Sequence, residues 1–533
     1  MKCSGGQLFE CGTDRWIIAR DRLRGPVPQS LDDEDLALHC QANESSVVGI
    51  IRRDSGAISL FTTTNGGALY FKRGSTGERF RFADTPNQLA ESSTEQIDEA
   101  YSASVIRNHP SRRPPYSSLY TSVQRIPPGA KCVLSRHEEN IGVSWWRDLR
   151  ASTILREAFL STLSMLVEGK ETHVLLSGGL DSANLVAGLR LLGVDFIAHH
   201  FVTSADAQAN ATAQSRFLGF DLVMHQYNKR AIDFSAPLER VKTGVLSGTR
   251  PRVQMSIPDV DLDDARTVCL NGQNADALLS IHDYTLPRKV PTSRGALKRD
   301  VVGTIGRILL TDAARRLITK LGPQARRRYL AGLLMPGHDV CLPVFSLDPV
   351  KDEAMEVWKA VEPQYFSKSS PVPLRSFDVK AARWLEYASH ATEHAWLRGI
   401  RYPYSSGLMF PYLLHARLGR RSVGDPKWMG LELYRDLTGA SYQSVAVTGR
   451  DKFSESKGVP KDEQREREGL IQGLSLVEIE LLVNRFGMGW ARDMVTSRHQ
   501  HLSARAQAGV LSDKDLDSVG GFVALSATLA PAS

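Results

Sequence analysis

The chain has 533 residues, 42% of them hydrophobic and 23% charged, with a formal charge of +7 and a pI of about 9.0. This is ordinary globular composition, long enough to bury two cores and to divide into two or three domains. The basic excess suits an enzyme of phosphate-bearing substrates or a weak nucleic-acid binder, and it is too small per residue to decide between them.

Six cysteines are scattered at Cys3, Cys11, Cys40, Cys132, Cys269 and Cys341. None forms a CxxC pair, which excludes zinc-site spacing and a disulfide framework and suits a reducing compartment. The opening stretch MKCSGGQLFECGTDRW lacks the apolar run of a signal peptide. No segment approaches the ~20 apolar residues of a membrane span. A cytoplasmic protein with no membrane partner is expected.

Along the chain, residues up to about 150 read as β-rich. Short apolar runs at Trp16–Ala19, Val47–Ile51, Ile58–Phe61, Ala68–Phe71 and Ala130–Leu134 are separated by Gly, Asn, Asp and Ser. Helical spacing of Ile154, Phe159, Leu160, Leu163 and Leu166 then predicts a helix over 151–168. A strand follows at His173–Leu176, a turn, and an apolar helix at Ser182–Leu192. Further strands are predicted at 194–202, 220–227 and 267–270, with a helix at about 208–218. Strands alternating with helices imply a parallel, doubly wound sheet. Residues 286–330 are rich in Arg and Lys, as a solvated helical face or as a contact surface for an acidic partner or peptide. The small, polar residues 526–533 read as a frayed tail.

The segment that carries chemistry is Ser177-Gly178-Gly179-Leu180-Asp181-Ser182, set between a strand and a helix. Two glycines permit backbone shapes that side chains forbid and let the chain wrap an anion closely. Amide N–H groups and a helix N-terminus then face that anion, and Ser177 and Ser182 add hydroxyl donors. Asp181 repels phosphate, so its expected task is to hold Mg²⁺, which in turn binds phosphate oxygens. The hexapeptide is neither a Walker loop nor a dinucleotide fingerprint.

SGGLDS resembles the PP-loop of ATP pyrophosphatases, and the chain resembles the asparagine synthetase branch of that group over nearly its whole length. Asp206-Ala207-Gln208, Ala211 and Phe217-Leu218-Gly219 resemble the helix after the second strand. Leu270-Asn271-Gly272-Gln273-Asn274-Ala275-Asp276 resembles the LSGEGADE segment, with Asp276 at the second Mg²⁺ carboxylate and Gly272 against the nucleotide. Phe410–Leu414 resembles the PFLD segment, and Arg450-Asp451-Lys452-Phe453-Ser454 the loop bearing the catalytic lysine. The resemblance implies two domains. Residues 1–148 would be a glutaminase-like (Ntn-type) β-rich sandwich. Residues 149–533 would be a doubly wound parallel-sheet PP-loop ligase domain with C-terminal helices.

Three departures narrow the activity. The family's glutaminases use an N-terminal cysteine, whereas this chain begins Met1-Lys2-Cys3, so a glutaminase-dead scaffold domain is expected. Gln273-Asn274 and Ala277 replace Glu-Gly and Glu, removing a carboxylate beside the nucleotide and arguing against asparagine synthesis. Leu414 replaces the Asp of PFLD. Members without a working glutaminase include β-lactam synthetases and lasso-peptide cyclases. Leu175–Ala183, Ala198-His199-His200-Phe201 and the PYLLHARL segment at 411–418 are most similar to the cyclases.

The resemblance therefore implies a macrolactam synthetase using ATP and Mg²⁺. Its substrate would be a precursor peptide and its partner a leader peptidase, with no nucleic acid involved. Ser177 to Ser182 and Gly272 would hold the pyrophosphate portion, Asp181 and Asp276 the metal. Lys452, with Arg450, would stabilise charge on the reacting phosphate. A β-lactam synthetase-like ligase, a glutamine-independent asparagine synthetase homologue and a non-catalytic scaffold are the competing expectations.

Overall fold

The structure, a computed structural model, describes residues 7–10, 15–19, 47–52, 58–63, 69–73, 80–83, 85–90, 95–106, 118–126, 130–134, 142–145, 154–202, 204–226, 267–273, 275, 279, 312–322, 325–326, 400–405, 409, 428–447, 468, 471–486, 490–509 and 513–529.

The first part of the chain is antiparallel. Strands β1 (Gln7–Glu10), β2 (Arg15–Ala19), β3 (Val47–Arg52), β4 (Ile58–Thr62), β8 (Ala130–Leu134) and β9 (Gly142–Trp145) form one six-stranded sheet in that order. Strands β6 (Phe80–Ala83), β5 (Leu69–Arg73) and β7 (Val123–Ile126) form a second, three-stranded sheet. The five predicted strands of this region are all present, each within about two residues of its expected ends. Helix α1 spans Glu99–Ile106 and buries Tyr101, Val105 and Ile106. On β5, Lys72 donates to both oxygens of Glu95 at 2.9 Å, a half-buried ion pair that ties the sheet to the segment before α1.

The middle of the chain builds a parallel sheet. Helix α2 (Leu155–Val167) precedes strand β10 (Glu171–Leu175), which leads into helix α3 (Leu180–Leu191). Strand β11 (Phe196–Val202), helix α4 (Ala205–Leu218) and strand β12 (Leu222–Gln226) follow. Strand β13 (Thr267–Asn271), helix α5 (Asp312–Thr319), strand β14 (Ile400–Arg401), helix α6 (Trp428–Thr438) and the single turn α7 (Tyr442–Val445) complete it. The sheet order is β12-β11-β10-β13-β14, parallel throughout.

Pleating sorts the side chains. Val174, Ala198, Val268 and Leu270 share one face with a core from α2, α3, α4, α6 and α7, including Phe159, Leu163, Leu185, Ala211, Leu433 and Tyr442. Cys269, Ile400 and Tyr402 cluster with Leu175 on the opposite face. From β10 the chain steps outward through β11 to β12, then returns to β13 on the other side of β10. The connections therefore diverge between β10 and β13, and in open parallel sheets ligands bind at the carboxyl ends of strands at such a point.

The last helices, α8 (Ile479–Arg485), α9 (Trp490–Gln507) and α10 (Asp513–Leu529), return to the N-terminal region. Val495, Leu502, Val519 and Phe522 share one core with Tyr70, Ile97, Tyr101 and Leu119. Arg505 Nε reaches buried Asp515 at 3.0 Å, and Arg485 donates to the Glu95 carbonyl at 3.2 Å. The tail expected to fray at 526 does not begin there. Ser526 is buried in α10, and its Oγ accepts the Glu478 N–H at 2.9 Å, satisfying a donor at the start of α8 that no local side chain caps. Residues 530–533 lie outside the described residues.

Candidate functional site

The SGGLDS segment forms the turn between β10 and α3, at the carboxyl edge where the connections diverge. Its entry is fixed from β11: Leu176 N–H donates to the His199 carbonyl at 2.9 Å, and His200 Nδ1 donates to the Leu176 carbonyl at 2.7 Å. Gly178 has φ +80°, a left-handed shape that strains any residue with a Cβ. An added Cβ there would also meet the Ala207 carbonyl oxygen, in the first turn of α4, well inside contact distance. Gly179 is the N-cap of α3 and receives no side-chain cap, so the positive end of this twelve-residue helix opens directly onto the turn.

The hydroxyls are ordered by elimination. Ser182 Oγ donates to the Gly179 carbonyl at 3.0 Å, which uses its one proton. It therefore accepts from Ser177 N–H at 3.1 Å, and Ser177 Oγ, 3.0 Å away, donates to it. Ser177 Oγ in turn accepts the Gly179 N–H at 3.2 Å. A phosphate oxygen arriving here would exchange with these bonds, taking the Gly179 N–H and a serine hydroxyl.

Distant segments converge on the same turn. A Cβ on Gly272, in the loop after β13, would lie 3.0 Å from Ser182 N, so this loop lies against the backbone of the first turn of α3. Tyr404 donates its hydroxyl to the Asp181 carbonyl at 2.8 Å, and Tyr442 to the Gly178 carbonyl at 2.9 Å. Behind them Phe159 packs on Tyr404 at 5.4 Å, and Tyr434 meets Tyr442 edge to face at 5.4 Å and 89°. Gly430 of α6 lies against Leu180, and its carbonyl accepts from Asn184 at 3.1 Å. Ser177, Gly178, Gly179, Leu180, Asp181, Ser182 and Gly272 are thus brought together, while Asp276, Arg450 and Lys452 lie outside the described residues, as do Phe410–Leu414. Tyr404, Tyr442 and His200 carry no sequence signal for this role. A buried tyrosine hydroxyl needs a partner, but nothing in the sequence says which.

The pair His199-His200 splits across the sheet, as adjacent strand residues must. His199 joins a ladder on the face away from α3. Its Nε2 lies 2.8 Å from His173 Nδ1 and its Nδ1 lies 2.9 Å from His225 Nε2. Glu171 approaches His173 Nε2 at 3.3 Å, and Phe201 stacks on His225 at 4.6 Å. A neutral His199 therefore donates to one of these neighbours and accepts from the other. Burial and the neighbouring His173 and His225 push His199 down to about 4, so it is neutral near pH 7. Among the described residues no group of three or more His, Cys, Asp or Glu is arranged to hold a metal ion. Cys132 and Cys269 are free and buried, with their thiols pushed up to about 12 by burial, which makes them inert nucleophiles. No described helix is long and apolar enough to cross a membrane.

No family model matches the chain, and no curated protein matches it.

Proposed function

We propose that the protein is an ATP-dependent amide ligase of asparagine-synthetase-like architecture that closes a macrolactam ring in a precursor peptide. The observation that carries this is the two-glycine turn at the open N-terminus of α3, pressed against the Gly272 loop where the sheet's connections diverge. Three features support a site for the phosphate tail of ATP. The turn has no Cβ at its closest approach, an uncapped helix dipole behind it, and two serine hydroxyls on its rim. Mg²⁺ is commonly held by one or two carboxylates plus phosphate oxygens, so Asp181 with Asp276 is a donor set of the right size and hardness.

The chemistry divides among this chain's residues. A side-chain carboxylate of the peptide attacks the α-phosphorus of ATP, and pyrophosphate leaves. Ser177, Gly178, Gly179, Ser182 and Gly272 grip the departing group by N–H and hydroxyl donation. Mg²⁺, when bound at Asp181 and Asp276, neutralises charge on that group. The peptide's N-terminal amine then attacks the activated carbonyl, loses a proton and expels AMP. Lys452, with Arg450, stabilises the negative charge that develops in both steps.

The N-terminal region is a glutaminase-like domain, the enzyme works in the cytoplasm, and a leader peptidase supplies the free amine. The test is incubation with ATP, Mg²⁺ and a synthetic peptide that has a free N-terminal amine and an acidic residue several positions later. Mass spectrometry should show a product lighter by one water that resists aminopeptidase. An unchanged peptide alongside cyclisation of a small amino-acid derivative would favour a β-lactam synthetase-like activity.

A further inference from the structure

We propose that Tyr442 is a positioning residue that fixes which end of a peptide dipole the phosphate loop shows to its anion, a role that rests on the loop's being a phosphate site. In a trans peptide the C=O and N–H point to opposite sides. The peptide joining Gly178 to Gly179 has no Cβ at either end to resist rotation, so it is the easiest in the loop to flip. One orientation gives the anion an N–H, and the other gives it a carbonyl oxygen and repulsion.

Tyr442 removes the second orientation. Its buried hydroxyl donates to the Gly178 carbonyl at 2.9 Å from 264 residues along the chain. The Gly179 N–H is thereby held on the opposite side, where it meets only the loop's own Ser177 Oγ. Other carbonyls of the segment have side-chain donors too. His200 donates to that of Leu176, Ser182 Oγ to that of Gly179, and Tyr404 to that of Asp181. Four carbonyls between Leu176 and Asp181 thus have side-chain donors, and three of those donors come from β11, the segment after β14 and α7.

Tyr442 is itself well placed. Ser441 caps its short helix by accepting the Ser444 N–H at 3.2 Å, and the ring packs edge to face on Tyr434. Tyr434 directs its own hydroxyl elsewhere, to Gln214 Oε1 at 2.6 Å. The two phenols therefore separate loop orientation from general packing, because each loses one buried hydroxyl on conversion to Phe while both rings stay.

The experiment is calorimetric binding of Mg·pyrophosphate and of AMP to the full chain, wild type, Tyr442→Phe and Tyr434→Phe, with melting temperatures. Tyr442→Phe should weaken pyrophosphate about tenfold, the worth of one buried hydrogen bond, and leave AMP unchanged. Tyr434→Phe should leave pyrophosphate affinity at the wild-type value even where it lowers the melting temperature. Equal pyrophosphate affinity in Tyr442→Phe and wild type would overturn the role, as would parallel weakening of pyrophosphate and AMP, or an equal loss in both variants. A wild-type protein that binds no pyrophosphate would instead remove the phosphate-loop reading, and the role of Tyr442 with it.

Discussion

Gly178 and Ala207 meet backbone to backbone, with no room between them for a methyl group. Gly178→Ala would combine a left-handed φ of +80° with a clash that neither α3 nor α4 can relieve by moving a side chain. A loss of about 2–3 kcal/mol is expected from strain and contact together. Urea denaturation measures it, and pyrophosphate binding should vanish in the fraction that remains folded. An Ala variant of wild-type stability would mean that the turn is not shaped as described.

Asp181 stands in the first turn of α3, where a negative charge also favours the helix dipole by up to about 1 kcal/mol. Asp181→Asn keeps the side chain's size and removes the charge. A small change in stability is expected, with a fall of ~10²-fold or more in any ATP-dependent reaction. Titrating Mg²⁺ separates the two effects, because a merely helix-capping Asp would leave the metal dependence unchanged.

The histidine ladder makes stability depend on pH. Folding lowers His199 from about 6.5 to about 4, so between those values the unfolded chain binds the proton that the folded chain refuses. Stability contributed by neutral His199 is complete above pH 6.5 and is lost as pH falls toward 4. Burial lowers His200 as well, with the same sign. Urea midpoints across this window should fall with pH in wild type, and less steeply in His199→Phe, which keeps a ring in the stack but cannot titrate. A difference between the two curves that stays constant with pH would contradict the ladder.

The docking of the tail is open to a single substitution. A Cβ on Gly521 of α10 would lie 2.6 Å from the Val105 carbonyl of α1, a backbone contact with no flexible end. Ala normally favours a helix interior over Gly by about 1 kcal/mol. Gly521→Ala should nevertheless destabilise the protein by about 1–3 kcal/mol, read by thermal melting. A stabilised variant would show that α10 does not pack this closely on α1.

The local elements were legible because their signals are local. Short apolar runs bounded by Gly, Asn, Asp and Ser placed β2 to β5 and β8, and the strand–SGGLDS–helix pattern placed β10, the turn and α3. What sequence could not supply was pairing at long range. The hydroxyl of Tyr442 finds Gly178, and that of Tyr404 finds Asp181, across more than 200 residues, and nothing near either tyrosine encodes the partner. The same holds for His173, His199 and His225, which lie 26 residues apart in steps and meet diagonally across the neighbouring strands β10, β11 and β12, two positions from direct pairing. Ser526 looked like tail because small polar residues favour loops, yet packing of α10 on α1 overrides that preference.

Exchange of labelled pyrophosphate into ATP tests the central claim most directly. The purified chain is incubated with ATP, Mg²⁺ and an acidic peptide with a free amine, beside Asp181→Asn. Exchange that requires the peptide and is lost in the variant is the expected result, since it reports reversible adenylation of a carboxylate at this loop. Failure of the wild-type protein to exchange with peptides or amino-acid derivatives, together with failure to bind ATP, would contradict the ligase assignment and leave a protein that keeps the turn without its chemistry.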